Sequence, residues 1–418
     1  LNDMTHFPAL LQKVSARGGA LPRRSQRGFT LVELMVAVTL GLLLMVALIA
    51  VFLNVNRTNT EMAKTNSLIE NGRFAIDILQ EDIEHAGFWG GYVPQFDDLS
   101  STAVPSDAPA MTPDPCLAYA NWDITPNLGY RYALIGIPVQ SFDTSPTNCA
   151  FVTNQQPNTD VLVTRHAETC LPGVGSCEAL DNNKVYFQSS FCEAETTAAN
   201  RYVLSNTSAS FILTNRNCTT VADKRKFISN VYYVRNYAVT AGDGIPTLMR
   251  ASFNATAADT PPFDPPVALI EGIQGFRVEL GIDAKSRCNT DVDYSTATVI
   301  PPTPASSTAV QRVDPLTCAL DVGNYAKNTL PPNRGDGVPE AYVRCSGSGG
   351  CDVTQLRNVV SAKLYVLARS SEKALGQTDS KTYALGSTTL GPFNDGYKRH
   401  VFETTVRLTN ISGRRETP

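Results

Sequence analysis

Gly28-Phe29-Thr30-Leu31-Val32-Glu33-Leu34 opens an apolar run that ends only at Leu53, with Arg23, Arg24 and Arg27 just upstream. This stretch decides how the rest of the chain is read. Twenty residues follow one another from Leu34 to Leu53, and Thr39 alone among them has a polar side chain. At about 1.5 Å per residue, a helix of that length measures roughly 30 Å, the thickness of a bilayer's hydrocarbon core. Thirteen of the twenty are Leu, Ile, Val or Phe. At roughly −0.3 to −0.6 kcal/mol each, they favour insertion by about 4–8 kcal/mol. Glu33, the one carboxylate at the front edge, costs about 2.5–3.5 kcal/mol at most. Insertion wins, yet the charge is a liability that a plain anchor does not need.

A cleavable secretory signal has a shorter apolar region, about 7–15 residues, and then a small-x-small cleavage site. Here Asn54-Val55-Asn56-Arg57 follows the run instead. The basic residues Lys13, Arg17, Arg23, Arg24 and Arg27 all precede it. The positive-inside rule therefore leaves the N-terminus in the cytoplasm and exports the rest, a single pass through the inner membrane with a periplasmic head.

At Gly28, Phe29, Thr30, Leu31 and Glu33, with the apolar helix behind them, the chain resembles the class III signal of type IV prepilins and pseudopilins. The resemblance implies that a prepilin peptidase cuts between Gly28 and Phe29 and that the new amine of Phe29 is methylated. It also implies that Glu33 is the assembly carboxylate, pairing with the terminal amine of a neighbouring subunit. A carboxylate held in lipid or in a helix bundle demands a cation, and a terminal ammonium is the nearest one. The leader is then residues 1–28, with Met4 a more natural start than Leu1. Its removal leaves 30 basic against 38 acidic side chains. A modestly acidic exported body offers no basic excess for phosphates, so no nucleic-acid partner is expected. Lys224-Arg225-Lys226 is the one later basic cluster of note, expected as a solvated turn.

Past the span, apolar or small residues at Met62, Ala63, Ile69, Ala75, Ile76, Leu79, Ile83 and Ala86 form an amphipathic stripe. Glu61, Lys64, Glu70, Arg73, Asp77, Glu81 and Glu84 occupy the other positions, and Gly87 with Gly90-Gly91 ends the pattern. The expected organisation is a long N-terminal helix over 29–90, with 29–53 in membrane or filament core and 54–90 amphipathic. A β-rich head over 91–418 follows, with an insertion near 284–350. Strands are expected at Tyr132–Ile137, Asp160–Arg165, Val185–Gln188, Ser210–Thr214, Phe227–Asn236, Gln274–Ile282, Val359–Arg369 and His400–Leu408. No alternation of strands and helices is visible, so the sheets should be antiparallel. The fold class is α+β and pilin-like: a long helix packed on an antiparallel sheet head with long loops and insertions.

A second resemblance, to PilW-type minor pilins, starts at Asn71-Gly72-Arg73-Phe74 and His85-Ala86-Gly87-Phe88. It continues through Val231-Tyr232-Tyr233-Val234-Arg235, Leu248-Met249-Arg250, Leu269-Ile270-Glu271-Gly272-Ile273 and Val278-Glu279-Leu280-Gly281-Ile282-Asp283. It closes on Gly337-Val338-Pro339-Glu340, Val359-Val360-Ser361-Ala362-Lys363-Leu364-Tyr365, Lys398-Arg399-His400-Val401-Phe402 and Leu408-Thr409-Asn410. Lys285–Asn333 looks like an insertion, with Pro301-Pro302-Thr303-Pro304 a surface loop.

All ten cysteines lie in the head, and an even count in an oxidising compartment reads as disulfides. Cys170–Cys177 and Cys345–Cys351 enclose short loops. Cys116–Cys149, Cys192–Cys218 and Cys288–Cys318 follow by proximity. Zinc lacks both a C-x2-C and a histidine at ligand spacing. His85 and His166 are isolated, and His400 falls in a strand-like segment. No G-x-S-x-G, H-E-x-x-H or phosphate-cradling glycine loop occurs, so no enzyme, cofactor or metal is expected. Asp283, Asp291, Asp293, Asp336 and Glu340 are oxygen donors of the kind calcium takes, but without EF-hand spacing they read as solvated loop acids. Arg334-Gly335-Asp336 is assigned no function.

The resemblance implies a minor type IV pilin of the PilW type that primes pilus assembly at or near the tip, and becomes extracellular once assembled. Its implied partners are other minor pilins, the major pilin, the prepilin peptidase, the inner-membrane assembly platform, a PilY-type tip adhesin and membrane lipid. The alternatives are a type II secretion pseudopilin at a pseudopilus tip, and a membrane-anchored adhesin or binding module.

Overall fold

The computed structural model describes residues 28–99, 101, 103–125, 127, 129–181, 183–195, 201–254, 262–298, 312–313, 318, 320–321, 331, 333–347, 350–374 and 376–416. The leader ahead of Gly28 and the Pro301–Pro304 segment lie outside them. Two compact units form, one reaching to Thr60 and the other covering Glu61–Pro418. Helix α1 runs Leu31–His85, somewhat inside the expected 29–90. Gly87, at φ +75°, terminates it.

In chain order the head contributes α2 (Tyr130–Gly136), β1 (Val139–Phe142), β2 (Val161–Ala167), β3 (Tyr186–Ser189), β4 (Tyr202–Ser205) and the long β5 (Lys224–Arg235). There follow β6 (Thr247–Ser252), β7 (Val267–Glu271), β8 (Ile273–Ile282), the two-residue β9 (Arg312–Val313) and β10 (Leu320–Asp321), and β11 (Ala341–Val343). The chain finishes with α3 (Val353–Leu356), β12 (Val359–Arg369), β13 (Tyr383–Leu385), β14 (Thr388–Leu390), β15 (Arg399–Arg407) and α4 (Thr409–Arg415).

The strands make two main sheets, and every ladder in them is antiparallel. A seven-stranded sheet runs β1-β2-β5-β3-β4, with β6 on β5 and β7 on β6. A four-stranded sheet runs β11-β8-β12-β15, and Gly272 alone separates β7 in the first from β8 in the second. Helix residues Leu68, Ala75, Leu79 and Ile83 share one core with Phe276, Val278, Leu364 and Val366 of the four-stranded sheet. A second, aromatic core holds Trp89, Trp122, Tyr130, Phe187, Phe227 and Tyr233 under the larger sheet.

Three local expectations fail for identifiable reasons. Tyr132–Ile137 lies within or just after α2, not in a strand. Tyr130, Ala133, Leu134 and Ile137 are all buried, and that helical spacing outweighs the β preference of Tyr and Ile. Ser210–Thr214 forms no strand: Thr214 makes only an isolated bridge to Val221. Side chains take its N–H groups, Leu213 N donating to Gln188 Oε1 at 3.2 Å and Thr214 N to Glu195 Oε2 at 2.9 Å. Lys224, Arg225 and Lys226 form no turn either. They begin β5 and pair with Gln188, Phe187 and Tyr186 of β3. Lys224 lies over the Phe211 ring at 4.8 Å, and Lys226 Nζ pairs with Glu178 at 2.9 Å. Long basic side chains cover apolar surface this way while keeping their charge near water.

Five disulfides staple the loops: Cys116–Cys149, Cys170–Cys177, Cys192–Cys218, Cys288–Cys318 and Cys345–Cys351. Each closes a short segment, so the cross-links stiffen local loops and none ties distant elements together.

Candidate functional site

The N-terminal junction is built by α1 itself. Thr30 precedes the first helical residue, and its hydroxyl accepts the Glu33 N–H at 3.3 Å. Glu33 Oε2 reaches back to accept the Thr30 N–H at 3.0 Å and the Thr30 hydroxyl at 2.9 Å. This reciprocal capping box satisfies donors that a helix start leaves open, and it holds the carboxylate at the helix's positive end. Gly28 and Phe29 lie immediately outside it, exposed, with Phe29 88% accessible. From Phe29 to Asn56, Glu33 is the only charged residue. Every large apolar side chain of Leu31–Val55 is exposed within its unit, a surface that water does not tolerate at this size. The same helix is long and apolar enough to cross a membrane.

Beyond Glu61 the helix is tied to the head at four places. Near its start Glu61 pairs with Lys398 at 2.8 Å, and Lys64 with Glu372 at 3.2 Å. Asn71 Nδ2 donates to the Glu271 carbonyl at 3.0 Å, close to the junction of the two sheets. The next residue, Gly72, admits the Phe402 ring of β15. A Cβ at Gly72 would stand within 2.6 Å of Phe402 Cζ, and closer still to Cδ2 and Cε2. Near the far end, Asp82 accepts from His166 Nε2 at 3.0 Å, Asn230 Nδ2 at 3.1 Å and the Thr164 hydroxyl. Burial alone raises the Asp82 carboxyl, but these partners outweigh it and hold it below the usual range. His166 shows the converse. Burial opposes its charge, and Asp82 lifts it above the ordinary imidazole value. Finally, Asn410 Nδ2 from α4 donates to the Glu84 carbonyl at 3.0 Å, and Arg414 Nη2 to that of Gly87 at 2.6 Å. A donor and a cation thus satisfy carbonyls at the helix's negative end.

The buried stripe is Leu68, Gly72, Ala75, Leu79, Ile83 and, just beyond the helix, Ala86. Met62, expected on that stripe, is 60% exposed. Asp82 was hidden from sequence reasoning by its neighbours, since an acid between Glu81 and Glu84 looks like one more solvated charge. His85 and His166, distant in sequence, stand with ring centroids 5.7 Å apart. His166 spends its other nitrogen on the Ala167 carbonyl, and His85 Nδ1 lies 2.8 Å from the Glu81 carbonyl.

The acidic loop residues divide into two groups. Asp283, Asp336 and Glu340 bring carboxylate oxygens within 4.8 Å of one another. Each already accepts hydrogen bonds from the protein, Asp336 from Val338 N at 3.0 Å. Asp283 accepts from Arg415 Nη1 at 3.2 Å and Gly337 N at 2.9 Å, and Glu340 from Ala284 N at 2.7 Å. Arg415, the counter-charge of Asp283, also donates to Asp97 at 3.0 Å. Burial, with the Asp336 charge beside it, pushes Asp283 up to about 6 although Arg415 and the Gly337 N–H pull it down. Burial opposes the Arg415 charge too, but Tyr294, Asp97 and Asp283 together hold it protonated. Asp291 pairs with Lys285 at 2.5 Å, and Asp293 accepts from Ser295 N at 2.8 Å, away from that cluster. Glu168 lies near Cys170 and Cys177, but those sulfurs are bonded to each other. Arg334 of the Arg-Gly-Asp tripeptide is 2% exposed and donates to the Thr296 carbonyl at 2.9 Å. It is part of the core packing, not a surface epitope.

Known proteins place both halves of this arrangement. The prokaryotic N-terminal methylation motif matches residues 23–49, over the capping box and apolar run. The family described as Type IV Pilus-assembly protein W matches residues 231–410, from within β5 to the Asn410 cap. The chain is similar to a solved type IV-like pilin from Thermus thermophilus, at 12% identity and TM-score 0.24, over 65% of this chain and 82% of that one. No curated protein matches it. The motif and apolar helix fit anchoring in the inner membrane before assembly into a pilus. The methylation motif at the N-terminal helix and the assembly-protein W family over residues 231–410 together support a PilW-type minor pilin, built as an α+β chain with a long N-terminal helix and antiparallel sheets.

Proposed function

We propose that this minor pilin primes type IV pilus assembly and resides at or near the pilus tip, as a subunit without catalytic activity. A prepilin peptidase removes the leader between Gly28 and Phe29, the Phe29 amine is methylated, and the mature chain comprises the helix and the β-rich head. The observation that carries this reading is the division of α1. Its first part exposes an apolar surface with Glu33 as the only charge. Its second part is locked to the head through Gly72, Asp82 and Asn410. An apolar helix of this kind is stable in lipid, and equally in a bundle of like helices. Passage from one to the other needs a cation for Glu33, which a neighbour's terminal amine supplies. The partners follow: other minor pilins and the major pilin along the helix, the inner-membrane assembly platform, and a PilY-type adhesin at the tip. Gene deletion scored in parallel for surface pili and for secreted enzymes tests this. Loss of pili with normal secretion is expected, whereas lost secretion with normal pili would move the protein to a type II secretion pseudopilus.

A further inference from the structure

The head carries a cleft of about 430 Å³ on its aromatic side, between α2, β4 and the loop after α1. That size lies within the ~300–1,000 Å³ typical of small-molecule sites. Three tyrosines line it. Tyr202 stacks on Phe187 at 5.6 Å and 24°, Tyr92 leans on Tyr202 at 5.3 Å, and Tyr132 meets Tyr202 edge-on at 6.1 Å. Tyr92 is buried, while Tyr132 and Tyr202 are half-buried at the cleft.

The polar groups among these rings are pre-oriented and already neutralised. Asp123 clamps Arg131 with two bonds, Nε to Oδ1 at 2.9 Å and Nη2 to Oδ2 at 2.6 Å. The guanidinium also lies 5.8 Å from the Tyr119 and Trp122 ring centres. Asp107 accepts the Gln95 N–H at 2.6 Å and the Phe96 N–H at 3.0 Å. Burial pushes its carboxyl upward despite those bonds. Arg201 lines the cleft as well, so two guanidiniums face the two carboxylates Asp107 and Asp123, and no excess of either sign is built to hold an ion.

We propose that this cleft binds a neutral saccharide. A sugar ring has an apolar C–H face, which the electron-rich face of an aromatic ring attracts, and a rim of hydroxyls that need planar donors and acceptors. Tyr132 and Tyr202 supply the face. Arg131, Asp123 and Asp107 supply the planar polar groups on a wall fixed by α2 and by the loop that Asp107 pins. The head of the pilin would thereby carry a recognition site of its own, independent of how the helix assembles.

The test uses the full chain in lipid nanodiscs, with sugar-headed detergents excluded. Maltose, cellobiose, lactose and N,N′-diacetylchitobiose are the probes, followed by saturation-transfer NMR and by tryptophan fluorescence. Trp89 and Trp122 are the only tryptophans in the chain, and Trp122 has the Arg131 guanidinium 5.8 Å from its ring centre. At least one probe should saturate with a Kd of roughly 0.1–10 mM. Tyr132→Ala and Asp123→Asn should each weaken it about tenfold or more. Tyr132→Phe, which keeps the ring, should stay within about threefold, and the distant His400→Ala should leave binding unchanged. Thermal midpoints and closed disulfides establish that each variant is folded. The proposal is overturned if no probe saturates by about 50 mM, if binding survives both Tyr132→Ala and Asp123→Asn, or if inorganic phosphate competes.

Discussion

Gly72→Ala sets two known effects against each other at the seam between helix and sheet. Glycine inside a helix costs about 1 kcal/mol relative to alanine. On propensity alone the substitution should stabilise the protein by that amount. The new methyl, however, would meet the Phe402 ring within 2.6 Å of Cζ and closer to two other ring atoms. Overpacking of this sort costs about 1–3 kcal/mol. In the native background the two effects should sum to a net loss of up to about 2 kcal/mol. With Phe402→Ala already in place the ring is gone, and Gly72→Ala should then stabilise by about 1 kcal/mol. The sign reversal is the prediction, and the double-mutant cycle should show a coupling of about 1–3 kcal/mol. For a head of this size each kcal/mol moves the thermal midpoint by only about 1–1.5 °C. Denaturant titration of the disulfide-intact protein in micelles, followed by near-UV circular dichroism, is therefore the better assay. If Gly72→Ala stabilises the native background as much as it does the Phe402→Ala background, the close approach of helix and strand is wrong.

Glu33→Ala should insert and be processed normally, since the span loses a charge, yet it should fail to enter filaments. Glu33→Asp should be intermediate, and normal piliation with normal crosslinks to partner pilins in Glu33→Ala would show that the carboxylate is a passenger. Alkylation of the exported protein without reductant should label none of the ten cysteines, and mass spectrometry reads this directly. Asp283 supplies a pH test. Its folded value of about 6 exceeds the unfolded ~3.8, so its contribution is fully present below pH ~4 and is lost as pH rises through about 6. Relative to Asp283→Asn, the native protein should lose up to about 3 kcal/mol of stability between pH 4 and 7. Parallel pH profiles of the two proteins would refute the assignment.

Much of this architecture is visible before any coordinates because it is written in strong local signals. Glycines after His85 and an unbroken 3.6-residue pattern mark the end of α1, and the mostly apolar segment Val359–Arg369, broken only by Ser361 and Lys363 before its final arginine, marks a central strand. The failures come from tertiary partners. Gly72 reads as a helix weakness, and only Phe402, 330 positions away, explains it. Asp82 looks like one more surface acid until His166 and Asn230 converge on it. The short strands β6, β7, β13 and β14 escape notice because each is held by its strand neighbours more than by its own composition. The β preference of Tyr132 and its neighbours suggests a strand, although the spacing of Tyr130, Ala133, Leu134 and Ile137 points to a helix. The aromatic cleft that Tyr132 lines is missed with it.

The most direct test of the central claim is the N-terminus of the protein recovered from sheared surface pili. Mass spectrometry should find N-methylated Phe29 as the first residue. A leader still attached, a terminus elsewhere, or absence of the protein from the filament fraction would contradict its assignment as an assembled pilin.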